Sequence, residues 1–279
     1  MSAEQDMASG ARYEFGENWA RFLKVLDDSR IAEAEASLKD MLAVQHLRDQ
    51  RFLDIGCGSG LFSLAARRLG ATVYSFDFDP QSVACARELK RRRVPDDARW
   101  RIESGSVLDA AYMKDLGDFD VVYSWGVLHH TGAMWLALEH AIERVAAGGR
   151  LFIAIYADQG WKSRAWWFVK LLYNRMPRIF RPLYVMMASV LTRLLMIIKY
   201  TIKLRPMTAF APLSGDRRKR GMSAKRDAVD WIGGFPYEFA SLETLSSYLE
   251  ARGFSIVKVS RARSHGCNEL VAERIRCAG

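Results

Sequence analysis

The sequence predicts an α/β fold, doubly wound around a largely parallel sheet, and three observations predict it. Residues 51–60 read R-F-L-D-I-G-C-G-S-G, and an amphipathic pattern (Leu61, Phe62, Leu64, Ala65, Leu69) follows directly. That is a short apolar strand, a tight glycine turn and a helix. Further apolar strand runs separated by helical patterns recur as far as residue 156, the alternation that builds parallel sheets. Acids and glycines stand where these strands end, at the edge where open parallel sheets bind their ligands.

The 279 residues, half of them hydrophobic, suffice for one sizeable domain plus an insertion or small subdomain. Cys57, Cys85, Cys267 and Cys277 form no C-x-x-C pair and no zinc-ligand spacing, which fits a reducing compartment and gives no reason to expect a metal. The first ten residues hold neither a basic n-region nor an apolar h-region, so no signal peptide is expected and the cytoplasm is the expected location. The net charge of +9 is unevenly spread. Residues 161–226 carry sixteen Lys or Arg against one acid, Asp216, a net +15 that leaves −6 for the rest. An acidic domain with one strongly basic block predicts an anionic partner for that block.

Taken in order, an aromatic and polar stretch, Tyr13 to Trp19, leads into helical patterns at about 17–28 and 31–47. The glycine turn comes next. Glycine admits positive φ and lets a ligand approach the backbone with no Cβ in the way, and the helix behind it presents unpaired N–H groups. The spacing is not that of a dinucleotide site, because G-x-G-x-x-G needs a glycine at position 61, which is Leu61. Residues 71–76 form a second strand ending at Asp77, and Pro80 opens a helix of about 80–93 with Asp79 as its N-cap. Asp77 stands 21 residues after Gly56, where an acid can grip the two hydroxyls of a ribose; Phe78 is then placed to flank an adenine ring. A lone acid there reads more readily as a helix cap, but its register with the turn favours the ribose. Strands are predicted at 98–103, 118–124 and 150–156, with a helix of about 133–146 before the last. Gly105-Ser106-Val107 follows the third strand, and W-G-V-L-H-H-T-G, Trp125 to Gly132, follows the fourth.

Asp54–Gly60 (D-x-G-x-G-x-G), Asp77, Gly105-Ser106 and L-H-H-T-G…A-A-G-G-R-L, spread over about residues 50–156, resemble in order the motifs of the class I S-adenosyl-L-methionine (SAM) methyltransferases. The small-molecule type related to ubiquinone-pathway enzymes is the nearest likeness. The resemblance implies a Rossmann-like, doubly wound, seven-stranded sheet of order 3-2-1-4-5-7-6. It implies a helical lid over residues 1–48 and a SAM-binding core over 49–156. A basic, aromatic helical insertion over 157–232 then separates strands 5 and 6, and 233–279 completes the sheet. It implies SAM as cofactor, S-adenosyl-L-homocysteine as product and no metal. Asp54, Gly56, Cys57, Gly58 and Gly60 are then expected around the methionine part of SAM, with Asp77 and Phe78 at the ribose and adenine. Ser106 and Val107 are expected at the adenine edge, where the family often has an acid and this chain has Ser106. Trp125 and Gly126 are expected where cofactor and acceptor meet. His129 and His130 are the candidate bases for a hydroxyl acceptor, since imidazole titrates near neutral pH. One of them is alternatively structural, bonding the strand end or the cofactor carboxylate. Tyr156 and Asp158 are weaker candidates.

No N-P-P-Y or D-P-P-Y run and no Pro-Cys nucleophile is present, which disfavours nucleic-acid acceptors. A small molecule methylated at oxygen is expected: a lipid, quinone, glycan or secondary metabolite. Residues 183–204 are long and apolar but hold Arg193, Lys199 and Lys203, which argues against a membrane-spanning helix. The insertion then packs its apolar face on the core or on a second copy in a homodimer. Otherwise it lies through 161–205 as a basic amphipathic element on an anionic membrane, at the inner face. Residues 228–240, with Gly233-Gly234 and Pro236, are a candidate rim of the acceptor pocket. A helix of 242–252 between Ser241 and Gly253, and strands at 254–260 and about 268–275, close the chain. Two other functions fit less well: an RNA methyltransferase using the basic block against phosphates, and a SAM-fold protein without chemistry serving as a membrane or partner adaptor.

Overall fold

The computed structural model describes residues 19, 22, 23, 25–202, 232–262 and 266–276; the basic stretch 214–226 and most of the aromatic run 13–19 lie outside them. Seven strands form one sheet: β1 (Arg51–Ile55), β2 (Thr72–Asp77), β3 (Trp100–Ser104), β4 (Phe119–Trp125), β5 (Val145–Tyr156), β6 (Phe254–Ser260) and β7 (Cys267–Arg274). Their order is 3-2-1-4-5-7-6, as the motifs imply. The first five strands are mutually parallel, and β7 runs antiparallel between β5 and β6.

Alternation along the strands sends successive side chains to opposite faces. Phe52, Val121 and Phe152 pack on one face with α1 (Asp28–Leu42), α2 (Leu61–Arg68) and α3 (Pro80–Arg93). Their chain neighbours Leu53, Val122 and Ile153 pack on the other face with α4 (Ala110–Asp115), α5 (Met134–Glu143) and α8 (Leu242–Glu250). A sheet covered on both faces needs strands that are apolar nearly throughout, which is why β1, β4 and the second half of β5 are mostly hydrophobic, with Asp54 and Ser124 the polar residues buried within them.

Several boundaries differ from the pattern reading, each for a local reason. Helix α1 occupies Asp28–Leu42 rather than 31–47: the Asp27 carboxylate accepts the Arg30 N–H at 3.0 Å, and Ala43 turns left-handed at φ +51°. Helix α4 was not foreseen; the Asp109 carboxylate caps it by accepting the Tyr112 N–H at 3.0 Å. Strand β5 starts at Val145, opposite Phe119, rather than at Arg150, and the pairing shifts register between Phe119 and Val121. Gly148 at φ +76° and Gly149, whose Cβ would meet the Ala146 carbonyl at 2.9 Å, accommodate this irregularity inside the strand. Helix α5 accordingly stops at Glu143.

The insertion starts as two helices, α6 (Trp161–Arg175) and α7 (Arg181–Ile202), joined through a short 3-10 turn at Arg178–Phe180. Tyr173, Val185 and Ile232 form a small core between them and the segment that returns to the sheet. The Tyr184 hydroxyl donates to the Val169 carbonyl at 3.0 Å, and the Asn174 amide donates to the Gly233 carbonyl at 2.9 Å. No helix among the described residues is long and apolar enough to cross a membrane.

Candidate active site

The turn after β1 is built by its glycines. Gly56, Gly58 and Gly60 all take positive φ, at +74°, +54° and +78°, a region that L side chains rarely enter. The Gly56 and Cys57 N–H groups donate to the Phe76 carbonyl at 2.9 and 3.1 Å, and Gly60 N–H closes the turn on the Cys57 carbonyl at 2.8 Å. The turn is thereby lashed to the end of β2. There the Asp77 carboxylate accepts the Gly58 N–H and the Asp79 N–H, both at 2.9 Å. Each oxygen keeps acceptor capacity for a ligand hydroxyl. A Cβ at Gly58 would lie 2.7 Å from Trp19 Cε2, so the indole of the N-terminal segment covers the turn.

Two carboxylates sit together here. Desolvation raises Asp77 to about 6, against the hydrogen bonds from Asp79 and Gly58 that pull it down. Asp54 is buried beneath the turn, where its carboxylate accepts the Ser63 hydroxyl of α2. Desolvation, with the neighbouring charge of Asp77, raises it to about 7. Asp54 therefore ties α2 to β1 rather than lining the cleft. Cys57 is likewise buried, and burial pushes its thiol upward.

The other expected cofactor residues fall at adjacent strand ends. The Ser106 hydroxyl after β3 accepts the Leu108 N–H at 3.2 Å, and the Val107 carbonyl holds His140 Nδ1 at 2.7 Å. Phe78 is half-buried beside Asp77. At the end of β4, Trp125 gives its indole N–H to the Glu269 carboxylate at 2.8 Å. Gly126 follows at φ +77° with no atom within 4 Å of where a Cβ would stand, so the backbone faces open space there. Gly56, Gly58, Gly60, Asp77, Phe78, Ser106, Val107, Trp125 and Gly126 thus share one edge, across the neighbouring strands β3, β2, β1 and β4. They fit SAM: the positive-φ glycines build the tight strand-end turn, and Gly126 leaves open space for a close approach to the backbone. The Asp77 carboxylate at the cleft edge offers acceptor oxygens to a ribose diol.

His129 and His130 occupy a 3-10 turn, Leu128–His130, beyond β4. His129 is buried, and its Nδ1 accepts the Tyr156 N–H at 3.3 Å at the end of β5. Desolvation first, then the charges of His130 and Lys170, push it well below the usual imidazole range. His130 lies at Nδ1 2.6 Å from the Pro236 carbonyl. A carbonyl only accepts, so Nδ1 carries the proton and Nε2 the lone pair. Burial and the Lys170 charge lower His130 to about 3.

Lys170 was not anticipated. It is fully buried on α6, with Nζ 4.8 Å from the centre of the Tyr237 ring and 5.7 Å from that of Tyr156. The Tyr156 ring in turn lies 4.0 Å from the His129 ring and 5.0 Å from Tyr237. Burial raises Tyr237 to about 12. The signal was in the sequence: Ser163, Lys170 and Tyr173 recur at a spacing that shares one helix face, and all three are buried. The ends of β4 and β5, the insertion and the 232–239 segment therefore meet in one cluster of two histidines, two tyrosines and a lysine. Asp158 lies just outside it, its carboxylate accepting the Gly160 N–H at 2.7 Å.

A family model described as "Methyltransferase domain" matches residues 11–259. Over 116 residues the chain is 34% identical to the ubiquinone biosynthesis O-methyltransferase of Parvibaculum lavamentivorans, a match spanning 41% of this chain and 44% of that protein. The chain thus spans less than half the length of the curated relatives it matches. Among solved structures, magnesium protoporphyrin IX methyltransferase from Synechocystis PCC 6803 with bound S-adenosylhomocysteine superposes with a TM-score of 0.52. It is 17% identical, and the match covers 91% of this chain and 86% of that one. The 1,6-didemethyltoxoflavin-N1-methyltransferase of Burkholderia thailandensis gives a TM-score of 0.51 at 16% identity, covering 99% and 92%. At such identities the structures speak for the fold, and the family model speaks for membership. Glycine turn, strand-end acid and strand order agree with both: this chain belongs to the methyltransferase-domain family, as a class I, SAM-dependent member.

Proposed function

We propose that the protein transfers the methyl group of SAM to an oxygen of a small molecule whose hydroxyl is acidic, such as a phenol or an enol, in preference to an aliphatic alcohol. The observation that supports this most is the buried Lys170, held over the Tyr237 and Tyr156 rings with His129 packed on Tyr156. SAM, when bound, supplies a methyl group on a sulfonium, which is a good leaving group. The chain's own residues bind, orient and handle the proton. The glycine turn and Asp77 fix the donor, and much of the rate then comes from proximity and alignment. With its proton on Nδ1 toward the Pro236 carbonyl, His130 has Nε2 as its acceptor nitrogen. Its basicity, depressed to about 3, is too weak to draw a proton from an aliphatic alcohol at neutral pH. The Lys170 charge favours an acceptor oxygen that ionises beside it. His129 serves the site by holding the end of β5 through the Tyr156 N–H. Oxygen as the acceptor atom agrees with the relatives' name, ubiquinone biosynthesis O-methyltransferase.

The test is an assay with tritiated SAM against a cell extract split into lipid, small-molecule and RNA pools, followed by panels of phenols and aliphatic alcohols. Label is expected in a lipid or small-molecule pool, with phenols methylated faster than alcohols. Lys170→Met is expected to lower the rate roughly a hundredfold, the scale of losing one electrostatic stabiliser in a site that excludes water, with SAM affinity unchanged. Label entering RNA, or alcohols methylated as fast as phenols, overturns the reading.

A further inference from the structure

Helix α6 has two contrasting faces. Ser163, Lys170 and Tyr173 point inward and are buried, while Trp161, Phe168 and Leu172 on the opposite side are exposed, Trp161 to 75%. Helix α7 continues the outer surface. Leu183, Leu191 and Leu194 are each more than half exposed and fall on one face by helical spacing. Most of the exposed large hydrophobic side chains among the described residues belong to this hairpin, and exposed apolar side chains gathered in this way mark an interaction surface.

Charge decides what it meets. Residues 161–202 contain eight Lys or Arg and no Asp or Glu, and of the eight Lys170 faces inward. A twofold contact between copies would set this surface against itself and bring like charges together. A partner helix of ordinary composition offers no reason for so one-sided a charge. An anionic lipid surface takes both features, since apolar side chains enter the acyl boundary and cations stay at the headgroups. We infer that the α6–α7 hairpin seats the protein on anionic membrane, with the outer face of α6 in lipid and its inner face at the Lys170 cluster. The inference rests on the exposed faces and the charge, and stands independently of the acceptor chemistry.

Flotation of the full chain with vesicles of phosphatidylglycerol mixed with phosphatidylcholine, and with phosphatidylcholine alone, tests it. The protein is expected to float with the anionic vesicles and to bind the neutral ones at least about tenfold more weakly, given about 1 kcal/mol per cation near the surface. Added salt is expected to weaken the anionic binding. The double variant Leu183→Asp/Leu191→Asp replaces exposed side chains only, keeps its circular dichroism and melting temperature, and is expected to lose binding at least about tenfold. Equal binding to both vesicle types, no binding to either, or a variant that floats like the wild type overturns the inference. So does sedimentation showing a dimer that the variant dissociates without vesicle binding, which assigns the surface to a second copy. Vesicle binding needs neither SAM nor acceptor, so its failure is distinguishable from failure of the methyl-transfer reading.

Discussion

Asp77 and Asp54 stand at adjacent strand ends and do different things. Asp77 reaches the cleft edge while bonded to the Gly58 and Asp79 N–H groups, so a bound ribose meets a carboxylate already fixed in place. Asp77→Ala is expected to weaken SAM binding at least about a hundredfold. The reason is that two hydrogen bonds to a charged acceptor contribute roughly 1.5–3 kcal/mol each. A calorimetric titration with an unchanged thermal melt checks it. Because Asp77 titrates near 6 without cofactor, SAM affinity should fall as pH drops through that value, and Asp77→Asn should flatten the dependence. Asp54 makes a stability statement instead. Its folded pKa lies above its unfolded value, at about 7 against 3.8. The folded state therefore binds the extra proton between them, and its contribution is present at low pH and lost as pH rises through about 7. Asp54→Asn, which keeps an acceptor for the Ser63 hydroxyl, should raise the melting temperature relative to wild type more at pH 8 than at pH 5. Melts of both proteins at the two pH values measure that difference. The two histidines cancel because both proteins share them.

The glycine turn and helix α6 are the elements on which the site depends, and they were unequally legible. Gly56, Gly58, Gly60 and Asp77 could be placed from spacing alone because each is demanded by local backbone chemistry. Lys170 could not, because a lysine in a basic, aromatic run reads as a solvated charge until the helix is docked. Only the contact of α6 with Tyr156 and Tyr237 turns it inward. At the turn, the structure separates glycines that look alike in sequence. A Cβ at Gly60 would meet the Ala86 Cα at 3.1 Å, where backbone cannot yield, whereas one at Gly126 meets nothing. Both have positive φ. Gly60→Ala is expected to cost about 1–3 kcal/mol beyond the backbone strain, and Gly126→Ala about 1–2 kcal/mol of strain alone. Paired denaturant melts should rank them in that order; equal losses would mean that α3 shifts to make room. Gly58→Val should abolish SAM binding in a folded protein, since its side chain enters the space between the turn and Trp19.

At the scale of the molecule, the proposed function places the donor half of the site on one edge of a buried parallel sheet and the acceptor half on the strand ends, α6 and the 232–239 segment. The first half was readable because strands, turns and acids recur in chain order. Of the second, His129, His130, Tyr156 and the 228–240 rim were candidates in the sequence, but their meeting with Lys170 was not readable, because α6, the 232–239 segment and the ends of β4 and β5 are far apart in sequence and meet only through tertiary packing. The bulged start of β5 and helix α4 escaped for a smaller reason: a glycine pair reads as a loop, and six residues are too few to show a period. On the proposed function the site has a donor half that binds SAM without the acceptor cluster and an acceptor half in which Lys170 acts on the reaction alone. Calorimetric titration of SAM into wild type, Asp77→Ala and Lys170→Met tests that division most directly. Wild type and Lys170→Met should give the same affinity and Asp77→Ala no measurable heat; no heat from the wild type, or undiminished binding by Asp77→Ala, would contradict it.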